Sequence, residues 1–309
     1  MKRAVITGPT GAIGTALISK LVREGTEVLA VCRKGSERRR NIPDHPLIDV
    51  IECNMQDIGD LPNMVNEKYG IFFHLAWQGA SGAARNDMYV QNSNVKHSLD
   101  AVHAAKAIGC EVFIGAGSQA EYGRQNTKLS RQTPAFPENG YGMAKLCAGQ
   151  MTRLECEKEG IKHIWARILS VYGPCDGEQT MIISTIRKLL SGKRPSLTAG
   201  EQMWDYIYSA DAAEALYRMA EYGKNGAIYC LGSGRALPLS EYMKELRDSV
   251  DQDLELGLGD LPYSEKQVMY LCADIEELKN DTGFIPTHSF EEGIRSTIDW
   301  CRMTSEENI

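Results

Sequence analysis

Long apolar runs, paired cysteines, an excess of positive charge and linker-like tracts are all missing from this chain, and each absence closes off a class of protein. No apolar stretch approaches the eighteen or so residues that a membrane span requires. The run after Met1, Lys2 and Arg3 is cut by glycines and proline after four residues, so neither a membrane protein nor a secretory leader is expected. The nine cysteines are scattered singly, without the spacings of a zinc site or a disulfide framework. An odd, unpaired set fits a reducing cytoplasm, and no metal is expected. A formal charge of -7 argues against nucleic-acid binding, which needs a basic field to displace counterions from phosphates. No internal repeat, low-complexity tract or long linker breaks the 309 residues.

What is present is alternation. Short apolar or β-branched runs at 3–7, 27–32, 47–53, 70–76, 111–117 and 163–169 are separated by helical patterns at 12–24, 57–68, 86–108 and 139–159. Near-continuous apolar strands with helices between them predict a parallel sheet covered on both faces, a doubly wound α/β fold. After residue 174 the pattern loosens. Helices are expected at 178–191, 210–223, 239–249, 274–281 and 290–302, with strands at "MWDYIYS" (203–209) and "AIYCLG" (227–232). The expected division is a nucleotide-binding domain over 1–174, rejoined by 203–232, and a smaller α+β substrate lobe from 175–202 and 233–309.

"TGPTGAIG" follows the first strand and opens a helix, placing Gly8, Gly11 and Gly14 where a tight turn and backbone N–H groups meet a pyrophosphate. The G-x-x-G-x-x-G spacing differs from the usual fingerprint, and a plain turn is the bland alternative. Cys32 stands where an acid would bind the adenosine ribose, and Arg33, Lys34, Arg38 and Arg39 follow it. That favours NADP(H) over NAD(H), against a merely solvated basic turn.

In "ENGYGMAKLCAG", Tyr141 and Lys145 lie four residues apart, hence on one helix face. A neighbouring ammonium would lower a phenol pKa near 10 toward the range of a general acid or base. The alternative is a half-buried Tyr with a snorkelling Lys. "VFIGAGSQAEYG" delivers Ser118 at a strand's carboxyl end, where open α/β sheets bind ligands; its ordinary role would be a turn serine.

The glycine turn, "FFHLAW", Asn94 in "NSNV", "GSQAEYG", "YGMAK", "VYGP" and "WDYIYSADAAEAL" occur in the order seen in extended short-chain dehydrogenases/reductases, and the chain resembles the NAD-dependent epimerase/dehydratase family over nearly its whole length. That resemblance implies a Rossmann-type fold and nucleotide-diphosphate sugars as substrates. It also implies Ser118, Tyr141 and Lys145 as the catalytic set. Gly8, Thr10, Gly11, Ala12, Ile13, Gly14, Arg33, Asn54, Met55, Leu75 and Ala76, with Tyr141 and Lys145, would hold the cofactor. Trp77, Gln119, Ser170, Arg187 and Trp204 would face the substrate, although Trp204 could equally fill core. Asn94 would be structural or relay-like.

Two departures matter. Dehydratases of the family carry Asp-Glu after the serine, where this chain has Gln119 and Ala120; Glu121 falls one residue late and should face the other way. Dehydration is therefore not expected. Arginines that often grip the diphosphate are replaced by Cys175 and Trp204, leaving Arg187, Lys188, Lys193 and Arg194 as candidate cations. The expectation is NADPH-dependent reduction of a 4-keto sugar nucleotide. A 4-epimerase, a reductase of a non-nucleotide carbonyl and a non-catalytic dinucleotide sensor are the alternatives. A homodimer through the helices at 86–108 and 139–159 completes what the resemblance implies.

Overall fold

Seven apolar segments, most of them separated by a helix, join one parallel sheet in the computed structural model, which describes residues 2–306. Its first six strands are β1 (Arg3–Thr7), β2 (Glu27–Cys32), β3 (Ile48–Glu52), β4 (Ile71–His74), β5 (Val112–Ser118) and β6 (Lys162–Ile168). The short strands β7 (Ser170–Tyr172), β8 (Ser196–Leu197), β9 (Met203–Trp204) and β10 (Tyr206–Tyr208) follow, and then β11 (Ala227–Leu231), the seventh of the main sheet. β12 (Leu237–Pro238) and β13 (Gly257–Leu258) close the series. The spatial order is β11-β6-β5-β4-β1-β2-β3, so the order reverses between β1 and β4. A reversal of this kind opens a crevice at the carboxyl ends of the two strands.

The helices are α1 (Ala12–Arg23), α2 (Leu61–Met64), α3 (Met88–Ala107), α4 (Gly140–Glu159), α5 (Met181–Leu190), α6 (Ser209–Tyr222), α7 (Leu239–Val250), α8 (Glu276–Thr282) and α9 (Phe290–Glu306). α1, α6 and α8 cover one face of the sheet with Leu17, Leu21, Leu216, Met219 and Leu278. α3 and the end of α4 cover the other with Val102, Ala105 and Cys156. A separate core built around Ile183, Ile186, Tyr242, Leu246 and Ile298 belongs to α5, α7 and α9.

Two segments differ from expectation. The helix expected over 57–68 is a 3-10 turn (Met55–Asp60) followed by the single turn of α2, because Gly59 weakens a helix and Pro62 is tolerated only at its start. "MWDYIYS" is two strands, not one: β9 pairs antiparallel with β12 and β10 pairs parallel with β7. Asp205 between them is fully buried, and its carboxylate accepts from Ser233 N (2.8 Å), Ser233 Oγ (2.6 Å), Gly234 N (3.0 Å) and Ala273 N (2.9 Å). Four donors repay the cost of burying that carboxylate and hold the chain in its bend.

Candidate active site

The glycine turn is dictated by contact. Gly8 has φ +71°, and a Cβ there would stand 2.8 Å from Ala76 N; a Cβ on Gly14 would stand 2.3 Å from the Gly8 carbonyl oxygen. The turn therefore seats α1 directly on the ends of β1 and β4, with Leu75 N donating to Thr7 O at 3.2 Å and Ala76 N to Thr7 Oγ1 at 3.3 Å. Gly11 differs: it is the N-cap of α1, provides no side-chain cap, and a Cβ on it would meet nothing within 4 Å. The first N–H groups of a helix have no intrahelical acceptor, and those of Ala12 and Ile13 are of this kind at the start of α1.

The basic segment after β2 curls toward this turn. Asn41 Nδ2 donates to Thr10 O at 3.0 Å, Arg38 donates to the Cys175 carbonyl, and Arg39 pairs with Glu52 at 3.2 Å. Arg33 remains exposed at the end of β2. Asn54 Oδ1 accepts from Lys34 N at 3.2 Å beside it, and Met55 packs partly into the core below α3.

Across the switch point, α4 starts where Asn139 Oδ1 caps Gly142 N at 2.8 Å, so Tyr141 falls in its first turn and Lys145 in its second. Lys145 is 3 % exposed; its Nζ donates to Ala116 O at 2.6 Å and lies 3.7 Å above the Trp77 ring. The Tyr141 ring meets Trp77 edge-on, centroids 6.1 Å apart at 87°. Ser118 ends β5 and is buried, its Oγ accepting from Ala120 N at 3.2 Å. Trp77 Nε1 donates to Gln91 Oε1 at 2.9 Å, so this ring is a wall of the site.

Burial raises the Tyr141 pKa, and Ser118 and the Arg85 guanidinium act against that rise. Desolvation lowers the Lys145 pKa to about 7, and its proton is committed to a carbonyl. The cation nearest the phenol ring is Arg85, 4.3 Å from its centroid against 5.8 Å for Lys145.

Glu121 is fully buried and held by three donors. Its carboxylate accepts from Arg167 Nε (2.6 Å), Trp165 Nε1 (2.9 Å) and Ser118 N (2.8 Å) under the sheet end. Gln119, by contrast, is partly exposed on the turn after Ser118.

Ser118 pairs in register with Ile168, so the chain beyond β6 begins beside it. There a cavity of about 400 Å3 opens, walled by Ser170, Asp176, Gln202, Trp204, Tyr206 and Gln267 among others. Trp204 Nε1 donates to Ser170 Oγ at 2.8 Å, and the indole also packs into the lobe core. No Lys or Arg is among the residues lining this cavity. Arg187, expected to face the substrate, is instead bound to Glu178 (3.1 Å), Thr304 Oγ1 (2.8 Å) and the Cys301 carbonyl, which clamps α5 to α9. Arg194 is held by Asp260 at 2.5 Å, and Lys188 and Lys193 are exposed. Arg85, which no sequence pattern singled out, is a second cation beside the Tyr141 ring; the irregular "GASGAARND" gives no period from which to place it.

The fold and the site define a dinucleotide-binding α/β protein with a Ser-Tyr-Lys set at its switch point. The chain belongs to the NAD dependent epimerase/dehydratase family, whose model matches residues 4–232. It is 26% identical to the ADP-L-glycero-D-manno-heptose-6-epimerase of Pseudomonas paraeruginosa, over 96% of this chain and 98% of that one. Among solved structures it superposes on the UDP-N-acetylglucosamine 4-epimerase of Methanobrevibacter ruminantium, in complex with UDP-N-acetylmuramic acid. The TM-score is 0.89 and the identity 24%, covering 98% of this chain and 99% of that one. It also superposes on a dTDP-glucose 4,6-dehydratase of Streptomyces venezuelae with NAD and TYD bound, at TM-score 0.86 and 20% identity over 99% and 98% of the two chains.

Proposed function

We propose that this protein is an NAD-using epimerase of a nucleotide sugar, working by hydride removal and return without elimination. The observation that carries the reading is the convergence of Ser118, Tyr141 and Lys145 beside the glycine turn, with Glu121 committed to Arg167 and Trp165. Bound nicotinamide would supply the hydride acceptor and donor. Tyr141 takes the proton of the reacting hydroxyl and returns it, Ser118 holds that oxygen, and Lys145 binds the cofactor ribose. Epimerases among the relatives favour this reading over the one-way reduction expected from the basic turn, since Arg38 and Arg39 are engaged by Cys175 and Glu52.

Two specific observations support other readings. Arg33 and Lys34, exposed at the end of β2, favour NADPH and reduction of a 4-keto sugar. The cation-free cavity beside Ser170 favours a non-nucleotide carbonyl, because a diphosphate needs charged partners. The test is to identify the dinucleotide that co-purifies by mass spectrometry, then follow a panel of sugar nucleotides by NMR without added cofactor. Interconversion of two epimers with bound NAD is expected; stoichiometric consumption of NADPH with no interconversion would overturn the reading.

The same reading includes a homodimer formed through α3 and α4. Met143, Cys147, Met151 and Leu154 form an exposed, largely apolar stripe along one face of α4. The nine free cysteines, all but Cys147 buried, suit a reducing cytoplasm.

A further inference from the structure

The loop from Trp77 to Asp87, which leads from β4 into α3, is pinned to both α3 and α4. Gln91, 1 % exposed, donates to Gly79 O (2.9 Å) and Ala84 O (2.8 Å). Asn94, 4 % exposed, closes a pair with Gln78, accepting from its N at 2.9 Å and donating to its O at 2.8 Å. Asn86 Oδ1 accepts from Gly140 N, the first residue of α4, at 3.0 Å, and Asp87 caps α3 through Tyr89 N and Val90 N. Held this way, Arg85 donates Nη1 to Ala80 O at 2.6 Å and lays its guanidinium 4.3 Å from the Tyr141 ring centroid.

We propose that Arg85 is the permanent cation on which the Tyr141 phenolate leans when it gives up its proton, which makes this loop a positioning part of the acid/base machinery. The inference rests on the reading of Tyr141 as the proton carrier. The groups facing Tyr141 are Ser118 from β5, Glu121 from the turn after it, Lys145 from its own helix and Arg85 from the loop. Glu121 is neutralised by Arg167 at 2.6 Å. Lys145 Nζ donates to Ala116 O at 2.6 Å and lies 5.8 Å from the Tyr141 ring centroid, farther than Arg85. A guanidinium keeps its charge at every working pH, which a buried ammonium does not.

The experiment compares Arg85→Met and Arg85→Lys with the wild type. Removing the cation destabilises the phenolate, so the acid limb of kcat in the hydride-removing direction should move up by about one pH unit, a roughly tenfold loss on that limb. Arg85→Lys should restore most of it. An ultraviolet difference titration of the phenolate, wild type minus Tyr141→Phe, repeats the measurement without substrate and should show the same displacement. An unchanged profile and titration in Arg85→Met, even with a lowered Tm, would reduce Arg85 to packing and overturn the proposal. Full turnover in Tyr141→Phe would instead sink the reading of Tyr141 itself and leave the titration of Arg85→Met standing as a separate result.

Discussion

Tyr141 and Lys145 stand one turn apart on α4, and burial drives them in opposite directions, because desolvation penalises whichever form is charged. Tyr141→Phe keeps the ring against Trp77 and removes only the hydroxyl. Turnover should fall by about 10²–10⁴, the usual worth of a positioned acid/base group, while cofactor affinity from fluorescence titration stays within about twofold. Lys145 gives a stability prediction with a definite sign. Its pKa is about 7 in the folded protein against an ordinary 10.5, so between those values the unfolded chain binds the extra proton. Stability therefore rises with pH across that window, by up to about 1.4 kcal/mol per pH unit. Chemical denaturation should show the slope in the wild type and a flatter curve in Lys145→Met. His74, fully buried against Thr7 Oγ1 (3.0 Å) and Ser98 Oγ (3.2 Å), is lowered to about 3. It too must stay neutral, so stability should be lost as pH falls from 6.5 toward 3, and less so in His74→Asn.

At the scale of elements, the start of α1 separates two kinds of glycine that the sequence writes identically. Gly14→Ala places a methyl group 2.3 Å from a backbone oxygen that cannot yield, and should cost about 1–3 kcal/mol in urea denaturation, the range of overpacking. Gly11→Asp meets open space and supplies the N-cap that α1 lacks, so Tm should hold or rise. Its carboxylate would occupy the place proposed for the pyrophosphate, and dinucleotide affinity by calorimetry should drop more than tenfold. Unchanged affinity would move the cofactor away from this helix end. The strands were legible from their short apolar runs, and α3 and α4 are each opened by a capping side chain, Asp87 and Asn139. Residues 55–64 were not, because Gly59 and Pro62 cut a helical pattern that the period alone extends. Asp205 likewise reads as an ordinary strand residue until its four partners, from segments 28 to 68 positions away, are brought to it.

For the whole molecule, the exposed stripe on α4 gives the assembly prediction. Met151→Glu with Leu154→Lys places charge on the proposed contact, and light scattering should find a monomer where the wild type is a dimer. A wild-type monomer would remove the basis for the four-helix contact. The sequence by itself determined the doubly wound sheet, the turn at Gly8, Gly11 and Gly14, and the nearness of Tyr141 to Lys145, since all of these follow from periods and short spacings along one chain. Only the tertiary structure decided that Arg85 comes to lie beside the Tyr141 ring, that Arg187 clamps α5 to α9, and that no Lys or Arg lines the cavity beside Ser170. The physical reason is that a long, flexible, charged side chain goes to whichever partner the folded chain presents, and those partners lie tens to more than a hundred residues away.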